Sequence, residues 1–430
     1  MIYLILILGL FFRLISLNQS LWLDEATTAL ASRLPLTEFF NNFMLADFHP
    51  PLYYLIIHYW SLIAGTSEIA LRIPSVVFGF LTIYVVYHIA KELKFKWPLA
   101  PALFLATSGL HIYYSQEARM YSLVTFLVSY LFLLFIRKKW FLFSIILPTI
   151  FLTDYLSLLI YPALFIYTFL QNKKDIKKIL LSLIPLAFVF ILWLPTFYSQ
   201  LSNGLAVKES VSSWWYILGP VTFKNVALIP IKFITGRISF DNNIIYILVT
   251  LIASAPFVYQ ISKAKNKLIW SWFAISLILG VFISFFIPTL TYFRYLFVLP
   301  AFYLLISENI SKKLIMLILT INILSSGYYL LNNKFYRENW REAAKAIGSE
   351  KVVFPVNSQK EALIYYGKEN NILSNNQLTN NQSTIWLSRY VWEIFDPSDL
   401  TRKYIEDLGY NKVSEANFNG VVLFKYANRN

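Results

Sequence analysis

The sequence predicts an all-α polytopic membrane bundle of about eleven transmembrane helices, with surface helices on its outer face and a small C-terminal α/β domain. Three observations carry this reading. The 430 residues are 57% hydrophobic and only 14% charged, against about a quarter charged residues in soluble domains. Apolar runs of spanning length recur along the first three quarters of the chain. The lysines gather in short clusters between those runs: Lys91, Lys94 and Lys96; Arg137, Lys138 and Lys139; Lys173, Lys174, Lys177 and Lys178; Lys263, Lys265 and Lys267; Lys312 and Lys313.

Taken in order, the spans are Ile2–Leu17, Leu71–Ala90, Trp97–Ile112, Tyr121–Ile136, Trp140–Leu152, Tyr155–Leu170, Ile179–Phe197, Ile244–Ile261, Leu268–Ile287, Tyr292–Ile306 and Leu314–Leu331. Every basic cluster falls on one side if the amino terminus is inside, which is the positive-inside pattern. A formal charge of +14 distributed in this way reports membrane orientation and excludes a nucleic-acid face. Cysteine is absent, so disulfides and thiolate metal sites are excluded. The first span lacks a basic n-region and a small-residue cleavage site, and reads as an uncleaved anchor. Arg13 near its outer end either snorkels to the interface or faces a polar cavity.

The alternation puts residues 18–70, the Tyr198–Asn243 loop and everything from Asn332 outside. In the first loop, Asp24 is placed to cap a helix running from Glu25 to about Ser32. Leu36–Phe43 is short and amphipathic. Pro51 suits the first turn of a helix over Leu52–Leu62. Aromatic-rich helices of this kind lie in the interfacial plane, and Trp214 with Trp215 gives the large loop the same character. Residues 1–331 form the membrane domain and residues 332–430 the outer domain. There, strands are expected over Val352–Val356, Thr384–Ser388 and Val421–Tyr426. Helices are expected over Trp340–Ile347, Lys360–Tyr366 and Asp399–Leu408, with a loop over Asn370–Ser383.

The outer segments collect acids and arginines: Asp24, Glu25, Glu117, Asp154, Arg72, Arg119 and Arg294. No Walker lysine motif, dinucleotide fingerprint, nucleophile elbow or zincin helix accompanies them. Carboxylates beside arginine forks suit transfer from a phosphate leaving group. A carboxylate takes the proton of the attacking hydroxyl, and the guanidinium groups stabilise the departing charge. Each residue also has a plain role open to it. Asp24 can cap, Glu25 can favour a helix dipole, His49 can shape a turn, and Glu117 with Arg119 can be an interfacial ion pair. Arg72 and Arg294 can snorkel, and Asp154 can be structural.

The ordered motifs Leu21-Trp-Leu-Asp-Glu-Ala26, His49-Pro-Pro-Leu-Tyr53, Leu71-Arg-Ile-Pro-Ser75, Tyr114-Ser-Gln-Glu-Ala-Arg-Met-Tyr121 and Tyr292-Phe-Arg-Tyr295 before Leu299-Pro300 give the chain a family likeness. It resembles the GT-C-fold membrane glycosyltransferases, the group of dolichyl-phosphate-mannose protein mannosyltransferases and aminoarabinose lipid A transferases. The resemblance implies inverting transfer of one sugar from a polyprenyl-phosphate carrier, at a site facing outside the cytoplasmic membrane. It implies Asp24, Glu25 and Glu117 as the catalytic acids and Arg72, Arg119 and Arg294 as ligands of the donor phosphate. His49, Tyr53 and Tyr114 would shape the acceptor loop. A divalent metal, implied by some members of the group only, would fall to Asp24 and Glu117. The acceptor would be a lipid, a glycan or a protein. Where relatives often show His-Tyr, this chain has Asp154-Tyr155, so no role carries over to that position. A ligase or polymerase of lipid-linked glycans, or a flippase of lipid-linked sugars, is the competing expectation. A flippase would place its ionisable groups near the bilayer midplane.

Overall fold

The structure, a computed structural model, describes residues 1–210, 219–355, 359–374 and 377–428. Trp214, Trp215 and Val356 lie outside the described residues. Every apolar segment expected to span is helical, but not every one is a single long helix. Five are long and apolar enough to cross a bilayer: Glu68–Glu92, Lys173–Ala206, Asn243–Ile261, Lys267–Ser284 and Lys312–Leu331. Ile2–Leu14, Tyr121–Ile136, Trp140–Phe151, Leu156–Gln171 and Tyr292–Ser307 are shorter. The expected span Trp97–Ile112 is two helices, Leu99–Thr107 and Gly109–Ser115. Among the described residues, five helices and not eleven therefore have the length of a full crossing.

Burial separates the centre of the bundle from its rim. In Glu68–Glu92, 61% of the apolar window is buried, against 11% in Lys173–Ala206 and 17% in Asn243–Ile261. The exposed Ile184, Phe188, Ile191, Leu251 and Ile252 face outward, as lipid-facing side chains do. Tyr121–Ile136, Leu299–Ser307 and Glu68–Glu92 are the largest contributors to the central core.

The basic loops gather at one end of the bundle and touch in a closed ring. Arg137 pairs with Glu92, Lys138 with Asp175, and Lys267 donates to Gln171. The backbone N–H of Lys265 donates to Glu308, and Lys312 sits over the Trp97 ring. The acidic segments meet at the opposite end.

The break at Ser108 shapes that end. A helix terminus inside a bundle leaves four carbonyls without intrahelical donors, and no water is at hand to satisfy them. Here side chains from two other helices do so. Phe104 O accepts from Asn322 Nδ2 at 3.1 Å and Thr107 O from Ser326 Oγ at 2.6 Å. Leu105 O and Ala106 O accept from Arg13 at 3.3 and 3.2 Å. Arg13 thus neither snorkels nor faces an open cavity: it is fully buried, with Ser115 Oγ, Gly9 O and His111 Nδ1 as its remaining partners. The favour is returned. Gln116 Nε2 donates to the carbonyls of Phe12, Arg13 and Ile15 at the end of the first helix. The chain leading to Asp24 and the chain leading to Glu117 are bound to each other before either acid is reached.

Among the described residues, the C-terminal part of the chain has a five-stranded sheet in the order β2-β1-β3-β5-β4, with β1 Lys351–Val353, β2 Ile372–Leu373, β3 Thr384–Ser388, β4 Tyr410–Phe418 and β5 Val421–Asn428. β1 runs parallel to β2 and β3, while β5 is antiparallel to β3 and β4. The three expected strands are present; β2 and β4 were not expected. β2 falls within the stretch read as a loop. β4 is a polar edge strand without apolar alternation. Its hairpin partner begins after Asn419-Gly420, both at positive φ, the residues a tight hairpin turn prefers. The helix Trp340–Ile347 buries Trp340, Ala343, Ala344 and Ile347, the spacing of one helical face.

Candidate active site

The helix bearing the acid pair runs Leu23–Ala31, with Trp22 at its cap position. Asp24 therefore sits inside the first turn and does not cap, contrary to the sequence expectation. Its carboxylate is left for other work. Its side chain is 36% exposed, and Oδ2 lies 3.6 Å from Arg119 Nη2.

Glu25 points the other way, into the protein. It is fully buried and meets Arg72 in a two-pronged pair at 2.8 and 2.5 Å. Glu25 Oε1 also accepts from the backbone N–H of Ala118 at 2.8 Å. The first and second acidic segments are therefore in direct contact. Burial pushes the Glu25 carboxyl up, but Arg72 and Arg337 outweigh it and hold the group below the usual carboxylate range. Arg72 spends its other donors on the carbonyls of Leu17, Gln19 and Ser20. All five of its N–H groups are thus engaged, leaving none for a phosphate.

Glu117 is buried, and its Oε2 accepts from Arg337 Nη1 at 2.9 Å. Its Oε1 has no partner among the described residues. Burial raises this carboxyl above its ordinary value; Arg337 draws it down and the neighbouring Glu25 pushes it up again.

Arg119 is the hub on the other side. Nη1 donates to the Tyr54 hydroxyl at 3.2 Å, and Nη2 lies 3.2 Å from His49 Nε2. Its Nε is buried and has no acceptor among the described residues. His49 also contacts Asp47 at 3.5 Å, and burial of Asp47 is outweighed by His49 and Arg119, which keep that carboxyl low.

Of the remaining expected residues, Tyr53 is buried with its hydroxyl 2.8 Å from Ser75 Oγ, and Ser75 in turn donates to the Arg119 carbonyl. Tyr114 is buried among Tyr113, Tyr121 and Phe293. Both support the loop from behind. Arg294 is half-buried and donates once, to Pro288 O at 3.0 Å. Asp154 accepts from the Ser157 N–H at 2.9 Å and so starts the short Leu156–Leu159 helix.

Two arginines escaped the sequence reading. Arg337 comes from the C-terminal domain. Arg237 lies 4.6 Å above the Tyr113 ring and donates to the Tyr292 hydroxyl at 2.7 Å. Its place in the aromatic Tyr113–Tyr114 and Tyr292–Phe293 surroundings is a long-range property with no local pattern.

The residues do not suit a divalent ion. Among the described residues no three of His, Cys, Asp and Glu gather as ligands, and Asp24 and Glu117 each face a guanidinium that would repel a cation.

Comparison with known proteins follows these residues closely. Residues 48–198 match the family described as dolichyl-phosphate-mannose-protein mannosyltransferase. The match takes in His49, Tyr53, Arg72, Tyr114, Glu117 and Arg119, and begins after the acid pair. The crystal structure of ArnT from Cupriavidus metallidurans bound to undecaprenyl phosphate superposes with a TM-score of 0.56 at 11% identity, over 98% of this chain and 96% of that one. The same protein in its apo state gives 0.48 at 13% identity, over 98% and 97%. No curated protein matches the sequence. The superposition shows that the chain shares the fold of ArnT.

Proposed function

We propose that this chain is an inverting glycosyltransferase that moves a single hexosyl or pentosyl group from a polyprenyl-phosphate donor to a lipid, glycan or protein acceptor. It works on the outer face of the cytoplasmic membrane, with its amino terminus inside and its C-terminal domain outside. The observation that carries this reading is the division of labour among the acids. Glu25 and Glu117 are buried against arginines, whereas Asp24, one residue from Glu25, is open to solvent beside Arg119.

In this mechanism an acceptor hydroxyl gives its proton to Asp24 as its oxygen bonds to the anomeric carbon. The bond from that carbon to the phosphate oxygen breaks, and its electron pair leaves with the polyprenyl phosphate. Arg119, with an unused Nε–H, and Arg294, with one bonded nitrogen, stabilise the growing charge; Arg237 joins them. Each such cation is worth about 10²–10³ in rate. Undecaprenyl phosphate in the ArnT structure supports a polyprenyl carrier here. Arg72 belongs to the frame in this reading.

The test uses purified protein, membranes from cells lacking the chain, and a set of radiolabelled undecaprenyl-phosphate hexoses and pentoses. Wild type should move label from one donor to membrane material. Asp24→Asn should abolish transfer while undecaprenyl phosphate binding and melting temperature stay unchanged. Wild-type turnover by Asp24→Asn would remove that residue from the mechanism, and transfer of whole glycans in place of one sugar would favour the ligase reading.

A further inference from the structure

Arg337 belongs to the C-terminal domain, yet its guanidinium lies within the acid centre of the membrane domain. Nη1 donates to Glu117 Oε2 at 2.9 Å and to the Tyr113 hydroxyl at 3.1 Å. Nη2 donates to the carbonyls of Tyr113 and Gln116 at 3.2 and 3.0 Å. The group also stacks 4.3 Å from the Tyr113 ring centroid, and its backbone N–H donates to Gln19 Oε1 at 2.8 Å. One residue thus grips the turn that carries Glu117 and the linker that leads to Asp24.

Docking of the domain does not depend on this contact. Arg341 pairs with Glu68 at 2.6 Å and donates to Asn18 O. The Tyr366 hydroxyl accepts from the Leu21 N–H at 2.9 Å, and the Tyr365 hydroxyl donates to Thr66 O at 2.7 Å. Ala26, on the acid-bearing helix, packs into the apolar cluster of Trp340, Ala343, Ala362 and Leu363. Arg337 alone among these contacts reaches a catalytic-segment carboxylate, and it leaves that carboxylate with one oxygen, Oε1, unpartnered. A buried acceptor left bare is costly, and a substrate hydroxyl offers it the missing donor.

We propose that Arg337 is a positioning residue for sugar transfer: it fixes Glu117 beside the Asp24–Glu25 turn so that Oε1 accepts a hydrogen bond from a substrate hydroxyl. The proposal rests on the glycosyltransferase reading above. The charged and titratable groups facing Glu117 are Arg337 from the C-terminal domain, Glu25 from the Leu23–Ala31 helix, and Arg119 from its own turn, with the Tyr113 hydroxyl sharing Arg337. Burial raises the Glu117 carboxyl and Arg337 opposes that rise. Removing the guanidinium therefore makes Glu117 bind its proton at higher pH. Activity that needs the carboxylate is lost as pH falls through that value, so the acid limb of the rate profile moves to higher pH.

The experiment measures kcat and KM against pH for full-length wild type, Arg337→Lys and Arg337→Met, with the donor the wild type uses and native membranes as acceptor. Arg337→Met should lower kcat by about tenfold or more, leave KM for the donor within about twofold, and shift the acid limb upward. Arg337→Lys, which keeps the charge, should restore the position of the limb but only part of the rate. Undecaprenyl phosphate binding and melting temperature show whether each variant is folded; if Arg337→Met does not fold, Arg337→Lys with normal kcat overturns the proposal by itself. An unmoved acid limb in folded Arg337→Met also overturns it. A wild-type protein inert toward every donor overturns the transfer reading and this proposal with it, whereas a working wild type with unaffected variants overturns this proposal alone.

Discussion

At the scale of single residues, two neighbouring acids have opposite fates. Glu25 and Arg72 are both almost without exposure, so each neutralises a charge that burial would otherwise penalise heavily. Breaking a buried pair by removing one partner costs about 3–5 kcal/mol. Arg72→Met should therefore lower the melting temperature in detergent sharply and reduce the yield of folded protein. Full stability in that variant would mean that Glu25 finds another partner or is not charged. The acids of the site were legible in the sequence because carboxylates at the ends of apolar spans stand out. Their division of labour was not legible. Nothing local distinguishes Asp24 from Glu25, and the difference arises when Arg72 arrives from another helix. Arg337 and Arg237 were missed for the same reason: their partners lie far away in the chain.

At the scale of elements, the helix break at Ser108 is held by borrowed donors. Arg13→Leu would strand the Ala106 carbonyl in a dry interior, at about 1–3 kcal/mol, and leave Leu105 O with only the Ser108 N–H at 3.4 Å. Gly79 makes room for the same junction, since a Cβ there would come 2.1 Å from Ser115 Oγ and 3.1 Å from Arg13 Nε. Gly79→Ala should push Ser115 aside, and both variants should melt earlier and transfer sugar more slowly than wild type. Unchanged melting in both would show that the junction relaxes without cost. Hydropathy found every one of these helices but passed over the break. Thr107, Ser108 and Gly109 sit in an otherwise apolar run, and a window average cannot see which carbonyls lose their donors. The polar β4 strand was missed by the same blindness to partners, although Asn419-Gly420 was available as its local signal.

At the scale of the whole molecule, the ring of basic loops and the acid centre lie at opposite ends of the bundle. The natural absence of cysteine makes the orientation easy to probe. A membrane-impermeant maleimide should label Asn370→Cys in intact cells and Lys91→Cys only after permeabilisation. Labelling of Lys91→Cys from outside would reverse the proposed orientation. The lysine clusters made this arrangement legible without coordinates, since charge asymmetry across a membrane is written into the loops themselves. The docking of the C-terminal domain was not, because it is built from scattered pairs such as Arg341 with Glu68 and Tyr366 with the Leu21 backbone.

The position of Arg337 also has a consequence in time. It is translated after the last apolar helix, Lys312–Leu331. A nascent chain whose hydrophobic segments have all left the ribosome still carries Glu117 without its guanidinium. A truncated chain that ends before residue 337 therefore lacks the guanidinium that pairs with Glu117.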